Sequence, residues 1–240
     1  TYAFVSPTTI EITAYYGYEA EVTVPSTIDG YTVVGIQSFH NEEGYSYPNE
    51  FVKKIILPDT VRYISDEAFY QPTDWTTKIF SSLMEIVLPE GLKTIGKDAF
   101  GKNMELQKIE IPASVTDIER GAFSGCTNLS SVTFKGDNTF VHGGAFGSLM
   151  YGDAFAGFLS ALYNDWLYDD NSSDFFVWQN QLIAYKGESK TPVIPDSVKA
   201  IAGKAFAGSE ITGVTIPQGV KEIGQYAFYE THTLESVVIP

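Results

Sequence analysis

The sequence contains a single cysteine, Cys126, so it forms no internal disulfide, and one thiol alone lacks the ligand spacing of a zinc site. The redox compartment is therefore left open. Basic residues are scarce: 15 Lys and Arg stand against 30 Asp and Glu, for a formal charge of -15. Without a basic stripe to release counterions, nucleic acids and acidic membrane surfaces make poor partners. No uncharged apolar run approaches the length that crosses a bilayer, so no membrane insertion is expected. The chain begins at Thr1 without a basic-then-apolar leader, although a signal already removed would leave no trace. The histidines His40, His142 and His232 are scattered, none of them in an HExxH or GxSxG setting, and no glycine-rich phosphate loop runs into Lys-Ser/Thr. No cofactor and no metal are expected. What the chain does have is apolar surface to bury: 44% hydrophobic and 14% aromatic residues against 19% charged, the composition of a folded protein.

That apolar content is periodic. One phrase returns about every 22 to 23 residues wherever it is uninterrupted. An apolar residue precedes proline at Pro58, Pro89, Pro112, Pro195, Pro217 and Pro240. Three residues after the first five prolines lie Val61, Leu92, Val115, Val198 and Val220; six after lie Ile64, Ile95, Ile118, Ile201 and Ile223. Eleven after, the residue is always phenylalanine, namely Phe69, Phe100, Phe123, Phe206 and Phe228, each preceded by alanine. Six before a proline stands Val52, Leu83, Leu106, Ile211 or Leu234.

Such a grid cannot bury itself within one repeat, so repeats must stack and share a continuous core. Before each proline, as in Leu106 to Pro112, apolar and polar residues alternate with the period of a strand that buries one face. Stacked repeats would pair these strands in parallel, with proline closing each strand because it donates no ladder hydrogen bond. The spelling IPxxVxxIxxxAFxxxxxLxxVxIP resembles the bacterial BspA-like leucine-rich repeat over most of the chain. The resemblance implies an α/β repeat fold, mostly β: a right-handed leucine-rich-repeat solenoid with a parallel sheet, short turns or helical coils opposite, and here one inserted helix. It also implies a secreted or cell-surface protein, its signal peptide removed, that binds or adheres.

The array starts twice. Ala14 to Pro25 aligns with Ala184 to Pro195, and each segment follows a candidate hairpin, one turning near Ser6-Pro7-Thr8 and the other near Gln179-Asn180. Residues 1–146 read as a first array with its N-terminal hairpin, 147–173 as an aromatic, acidic helical insertion, and 174–240 as a second hairpin and array that could stack on the first. The first array ends in a worn repeat, in which Lys135 takes the proline position and Val141, Ala145 and Phe146 take the Ile, Ala and Phe positions. Solenoid ends are normally protected, so further repeats, a cap or self-association are expected beyond Pro240. Unbroken repeats have five residues between Phe and the next strand, as from Gly101 to Glu105, whereas the segments after Phe39, Phe69 and Phe146 are longer. Insertions at one phase of a solenoid emerge along one edge, often the binding edge.

The largest insertion is chemically distinct. From Gly136 to Tyr185 there is no Lys or Arg, and Phe155, Phe158, Leu159, Leu162, Tyr163, Trp166 and Leu167 recur at helical spacing. As a ligand platform it would offer Trp75, Trp166, Tyr168, Asp169, Asp170 and Trp178, flat rings for a sugar with carboxylates for its hydroxyls. The plainer alternative, a helix docked with Trp166 in the core, is favoured. The run Asp165, Asp169, Asp170 and Asp174 lacks the spacing of a calcium loop. A second surface is the concave sheet, where Lys54, Glu85, Lys108, Glu110, Thr133 and Thr215 alternate with buried residues. Cys126 reads as a small core residue. The reading is a non-catalytic extracellular or cell-surface module that recognises a protein partner, of a host for instance, through the edge insertions or the concave sheet. The alternatives are a carbohydrate-binding module using the aromatic insert and, last, a glycosidase, for which no two carboxylates stand out.

Overall fold

The computed structural model describes residues 1–39, 51–71, 82–136, 139–142, 145–146 and 173–240. The expected inserted helix, together with Trp75, Trp166, Tyr168, Asp169 and Asp170, lies outside these residues. The chain divides into two compact units, Thr1–Thr139 with Gly144–Phe158, and Phe140–Gly143 with Leu159–Pro240.

The first unit opens with an antiparallel hairpin of β1 (Tyr2–Ser6) and β2 (Thr9–Ile12), turning where the sequence places Pro7 and Thr8. There follow β3 (Glu21–Thr23), β4 (Thr27–Ile28) and β5 (Tyr31–Ile36). Each later repeat then supplies two strands: β6 (Lys54–Ile56) and β7 (Tyr63–Ile64), β8 (Glu85–Val87) and β9 (Thr94–Ile95), β10 (Lys108–Ile111) and β11 (Asp117–Ile118). The worn repeat adds β12 (Ser131–Phe134) here, while its second strand, β13 (Phe140–Val141), falls within the second unit. The pre-proline strands form a parallel sheet in the order β12-β10-β8-β6-β3. Across the core a second sheet runs β1-β2-β5-β7-β9-β11, parallel once past the hairpin.

Register explains why the grid works. Val22 pairs with Ile55, Ile55 with Ile86, and Ile109 with Val132, so inward residues form one row and outward residues another. Proline ends each strand, and its carbonyl accepts the N–H three residues on, as from Val61 (3.0 Å), Leu92 (3.0 Å) and Val115 (3.1 Å). That turn points Val61, Leu92 and Val115 into the core, where each is fully buried.

Opposite the strands the structure has turns, and among the described residues no helix. The reason is left-handed residues, one before each Ala-Phe and a second after four of the five. Two before the phenylalanine stand Glu67 (φ 57°), Asp98 (51°), Gly121 (70°), Lys204 (65°) and Tyr226 (62°). Two after stand Lys102 (61°), Gly125 (76°), Gly208 (70°) and Glu230 (56°). A left-handed residue breaks an α-helix, so the chain bends twice and delivers the phenylalanine inward between the bends. Between these bends the Phe N–H donates to the next coil's alanine carbonyl, as Phe69 to Ala99 (2.7 Å), Phe100 to Ala122 (2.7 Å) and Phe206 to Ala227 (2.8 Å). Backbones this close leave room for no side chain larger than alanine, and Ala68, Ala99 and Ala122 are fully buried.

The rings consequently form a column. Phe69 stacks on Phe100 (5.1 Å between centroids), Phe100 on Phe123 (5.1 Å) and Phe123 on Phe146 (4.8 Å), while Phe39 tilts onto Phe69 (5.3 Å). Tyr15 stacks on Phe39 (4.9 Å) and begins the column. Three residues after the phenylalanines, a polar side chain caps carbonyls of this turn. Asn103 donates to Phe69 O (2.8 Å) and Phe100 O (2.9 Å), and the Cys126 thiol donates to Phe100 O (3.1 Å). Cys126 is thus the buried structural residue its setting suggested.

The second unit repeats the plan with fewer coils. β14 (Phe175–Trp178) and β15 (Gln181–Tyr185) form an antiparallel hairpin whose turn residues Gln179 (φ 47°) and Asn180 (58°) are both left-handed, matching the twist of a two-residue turn. β16 (Ala200–Ile201), β17 (Gly213–Thr215), β18 (Glu222–Ile223) and β19 (Ser236–Val238) follow, β14-β15-β16-β18 forming one sheet and β17-β19 another. Its column runs Phe175, Tyr185, Phe206 and Phe228, at 5.1, 5.4 and 5.2 Å. Thr231 caps Phe206 O (3.2 Å) and Phe228 O (2.8 Å), but at the equivalent position the Ser209 hydroxyl is buried without a hydrogen bond. Ile223 is 39% and Ile239 68% exposed, where the matching Ile95 and Ile111, each packed between two coils, are at 0%.

Candidate binding surfaces

Three features of the described residues face solvent with distinct chemistry: the edge where the long segments leave, the strand face of the first unit, and that of the second. The edge follows from the phenylalanine column. The chain needs only five residues from Phe100 to Leu106, but takes twelve from Phe39 to Val52 and thirteen from Phe69 to Leu83. Phe39, Phe69 and Phe146 belong to the one stack of the first unit, so all three long segments start from the same side of its coils. Tyr18 and Phe51, at the first of these roots, are 65% and 46% exposed and meet edge to face at 5.9 Å.

On the first unit's strand face, Lys54, Glu85, Lys108, Glu110 and Thr133 share the outward side. Register places Glu21, Lys54, Glu85, Lys108 and Ser131 side by side in one row. The charges alternate and pair: Lys54 lies 3.9 Å from both Glu21 and Glu85, and Lys108 lies 3.6 Å from Glu85. Lys135, at the worn proline position, adds Glu90 (3.0 Å) and Glu110 (3.3 Å), and hydrogen bonds from its ammonium to both carboxylates hold it above the usual lysine range. Each pair is exposed and worth little alone. Together they pair the charges of this row with one another, a pairing not legible from the residues alone because the partners are a whole repeat apart.

The reverse of the first unit carries a tyrosine network. Glu11, Gly35 and Tyr63 are neighbours across β2, β5 and β7, and the Tyr63 ring lies over Gly35, where a Cβ would collide with it. The Tyr63 hydroxyl donates to Glu11 (2.9 Å); burial, then this bond, push its pKa up to about 12. Tyr15 is likewise pushed up to about 12 by burial and by its hydrogen bond to Glu19.

Thr215 lies elsewhere, on β17 of the second unit. There the outward positions are Thr191, Val193, Gly213, Thr215, Ser236 and Val238, which with Asp196 line a groove of about 290 Å³. No Lys or Arg lines it. Of the proposed aromatic platform only Trp178 falls within the described residues, half-buried in β14 beside its turn and paired across it with Gln181. The groove's Val193 and Val238 were not anticipated, although their place two residues before a proline was a usable signal.

The family described as BspA type leucine rich repeat region matches the chain in six copies, over residues 41–151 and 181–240. The chain belongs to the BspA-type leucine-rich repeat family. Among solved structures, it is similar to a leucine rich cell surface protein from Faecalibacterium prausnitzii A2-165, at 23% identity and a TM-score of 0.45, over 99% of this chain and 52% of that one. It is similar to the pneumococcal vaccine antigen PcpA at 18% identity and a TM-score of 0.49, over 100% of this chain and 67% of that one. A leucine-rich repeat protein from Bacteroides ovatus ATCC 8483 resembles it at 24% identity and a TM-score of 0.41, over 100% of this chain and 69% of that one. The chain therefore spans about half the length of the Faecalibacterium protein. No curated protein matches it. Among the described residues no helix is long and apolar enough to cross a membrane.

Proposed function

We propose that this BspA-type repeat protein is a non-catalytic binding module, acting outside the cell or on its surface, that holds a protein partner along the edge from which its long segments leave. The observation that carries the reading is the common root of those segments on the stacked Phe39, Phe69 and Phe146. A rigid column fixes the spacing of whatever the segments present, and rooting them on a prefolded body lowers the entropy lost on binding. The exposed Tyr18-Phe51 pair beside the first root is of the aromatic type that anchors protein interfaces. On this reading residues 1–146 and 174–240 are scaffold arrays, and 147–173 is the largest element they display.

The test is to excise residues 147–172 and, in a second variant, to shorten the segments after Phe39 and Phe69 to five residues. Variants that keep the parent circular dichroism and melting should lose capture of extracellular proteins; undiminished capture rejects the edge. Retention on a glycan array instead, abolished by Trp166→Ala or Trp178→Ala, would replace the protein partner by a carbohydrate.

A further inference from the structure

Seven residues before each proline, or before Lys135 in the worn repeat, the chain carries one side chain just ahead of its strand. Six coils set a polar residue there: Ser82, Glu105, Asn128, Glu188, Glu210 and Thr233. Several of these bond to a neighbouring coil, as Ser82 to Val52 O (2.8 Å), Asn128 to Glu105 (3.4 Å), Lys190 to Glu210 (2.6 Å) and Thr233 to Ile211 O (2.9 Å). The first two coils set Tyr18 and Phe51 at this place instead. The two rings meet at 61° and stay 65% and 46% exposed. Phe51 stands in a coil with neighbours on both sides, since β6 pairs with β3 and with β8, so its exposure does not come from the lack of an adjoining coil. Two aromatic rings in water where six sister coils place polar groups are unfavourable unless something covers them.

A carboxylate beside the rings is held in place from the core. Tyr15, stacked on Phe39, donates its hydroxyl to Glu19, and the bonded pair lies over Gly17, next in the chain to Tyr18, in space that a Cβ would fill. That bond holds Glu19 below the usual carboxylate range and so keeps it charged. Glu21 faces Lys54 and Glu85 faces Lys54 and Lys108, but no Lys or Arg among the described residues pairs with the exposed Glu19. The imbalance is regional: residues 1–52 hold seven Asp and Glu, and the first basic residues are Lys53 and Lys54, the latter already shared by Glu21 and Glu85. Elsewhere the protein covers tyrosine rings with its own lysines, Lys102 over Tyr70 at 5.4 Å and Lys204 over Tyr229 at 5.9 Å, and Tyr18 has no such cover among the described residues. Rings at 61° share no flat face on which a sugar could lie, but they form a corner in which a cation can sit over one ring while its alkyl stem runs along the other. We infer that Tyr18, Phe51 and Glu19 receive an Arg or Lys side chain of the partner protein, the cation lying over the Tyr18 ring and against the Glu19 carboxylate. This rests on the protein-binding reading above and gives the first root its ligand chemistry.

The experiment titrates the full chain, to millimolar ligand, with peptides of one design, a single Arg between two Leu in a Gly-Ser background, and with their Lys, Gln and Glu counterparts, following the backbone amide signals by NMR. The Arg and Lys peptides are expected to shift the signals of Tyr18, Glu19 and Phe51, and the Gln and Glu peptides to bind about tenfold more weakly or not at all. Tyr18→Leu, a change at an exposed site, keeps an apolar side chain and removes the ring face, and should weaken the Arg peptide about tenfold. Glu19→Gln should weaken it about threefold, less so at high salt, and Glu21→Gln, whose carboxylate already faces Lys54, should leave it unchanged. Equal binding of the Arg and Gln peptides, binding of none, shifts that map away from these residues, or binding unchanged by Tyr18→Leu in a chain of parental melting temperature would each overturn the inference. Excising residues 147–172 leaves Tyr18, Glu19 and Phe51 in place, so loss of partner capture there and loss of the Arg peptide are separate readouts, and failure of one reading is told apart from failure of the other.

Discussion

The two units build their strand faces on the same backbone grid and differ in one outward row of it. Four residues before proline the first unit sets Glu21, Lys54, Glu85 and Lys108 in a ladder of alternating charge, where the second sets Thr191, Gly213 and Ser236; two before proline both units carry mostly apolar or hydroxyl side chains, Thr23, Ile56, Val87 and Thr133 in the first and Val193, Thr215 and Val238 in the second. Inward positions cannot diverge this way, since every coil must pack on the next. The outward ones answer only to solvent and partners. The part of a repeat protein that can carry function is therefore where repeats with the same buried spelling disagree on the surface.

The sharpest way to break the comparison is through the core that both units are held to share. Phe100→Ala, in the middle of the first column, should cost about 3 to 5 kcal/mol in urea unfolding, and Phe228→Ala, half-buried at the end of the second, about half as much. Equal losses would mean that the coils do not share burial as described. Next comes the backbone. Gly121 has φ 70° and a Cβ there would strike the Asp98 carboxylate, so Gly121→Ala should cost about 1 to 3 kcal/mol, whereas Gly208→Ala, with the same φ and open space around it, should cost less. Melting temperatures of the pair measure the difference.

On the ladder itself, Glu85→Lys would place three lysines in a row and should cost about 1 kcal/mol at low salt, recovering as ionic strength rises. The matched change Thr215→Lys should show no such recovery, because no cation adjoins it. The smallest effect is at alkaline pH. With its folded pKa near 12, above the ordinary 10 of an unfolded tyrosine, Tyr63 stabilises the fold fully below pH 10 and loses that contribution as pH rises toward 12. Tyr63→Phe should flatten the fall of stability in that window, and an unchanged alkaline limb would show that the Glu11 hydrogen bond has no part in it.

Much of the scaffold was legible before any coordinates. The spacing of Pro, Val, Ile and Ala-Phe identified Phe100 and Phe123 as core, and they are 0% and 1% exposed. The hairpin turns at Pro7 and at Gln179-Asn180 fall where local chemistry put them. The worn repeat was readable too, since Val141, Ala145 and Phe146 are buried in spite of a missing proline. The paired left-handed bends were not legible. Glycine marks them only at Gly121, Gly125 and Gly208, and elsewhere Glu67, Asp98, Lys102, Lys204, Tyr226 and Glu230 occupy them under the grip of neighbouring coils. Nor could the tyrosines of the two columns be read as members: Tyr15 and Tyr185 take the place of phenylalanine, and their hydroxyls reach Glu19 and Ser189.

The repeat spelling alone determined which side chains are buried and that the coils stack, because a 23-residue amphipathic phrase has no other way to remove its apolar positions from water. Only the tertiary structure decided which outward residues meet. Lys54 and Glu85 are 31 positions apart, as are Val193 and Val238 at 45, and parallel register, set by the packing of the buried rows, is what brings such residues onto one face.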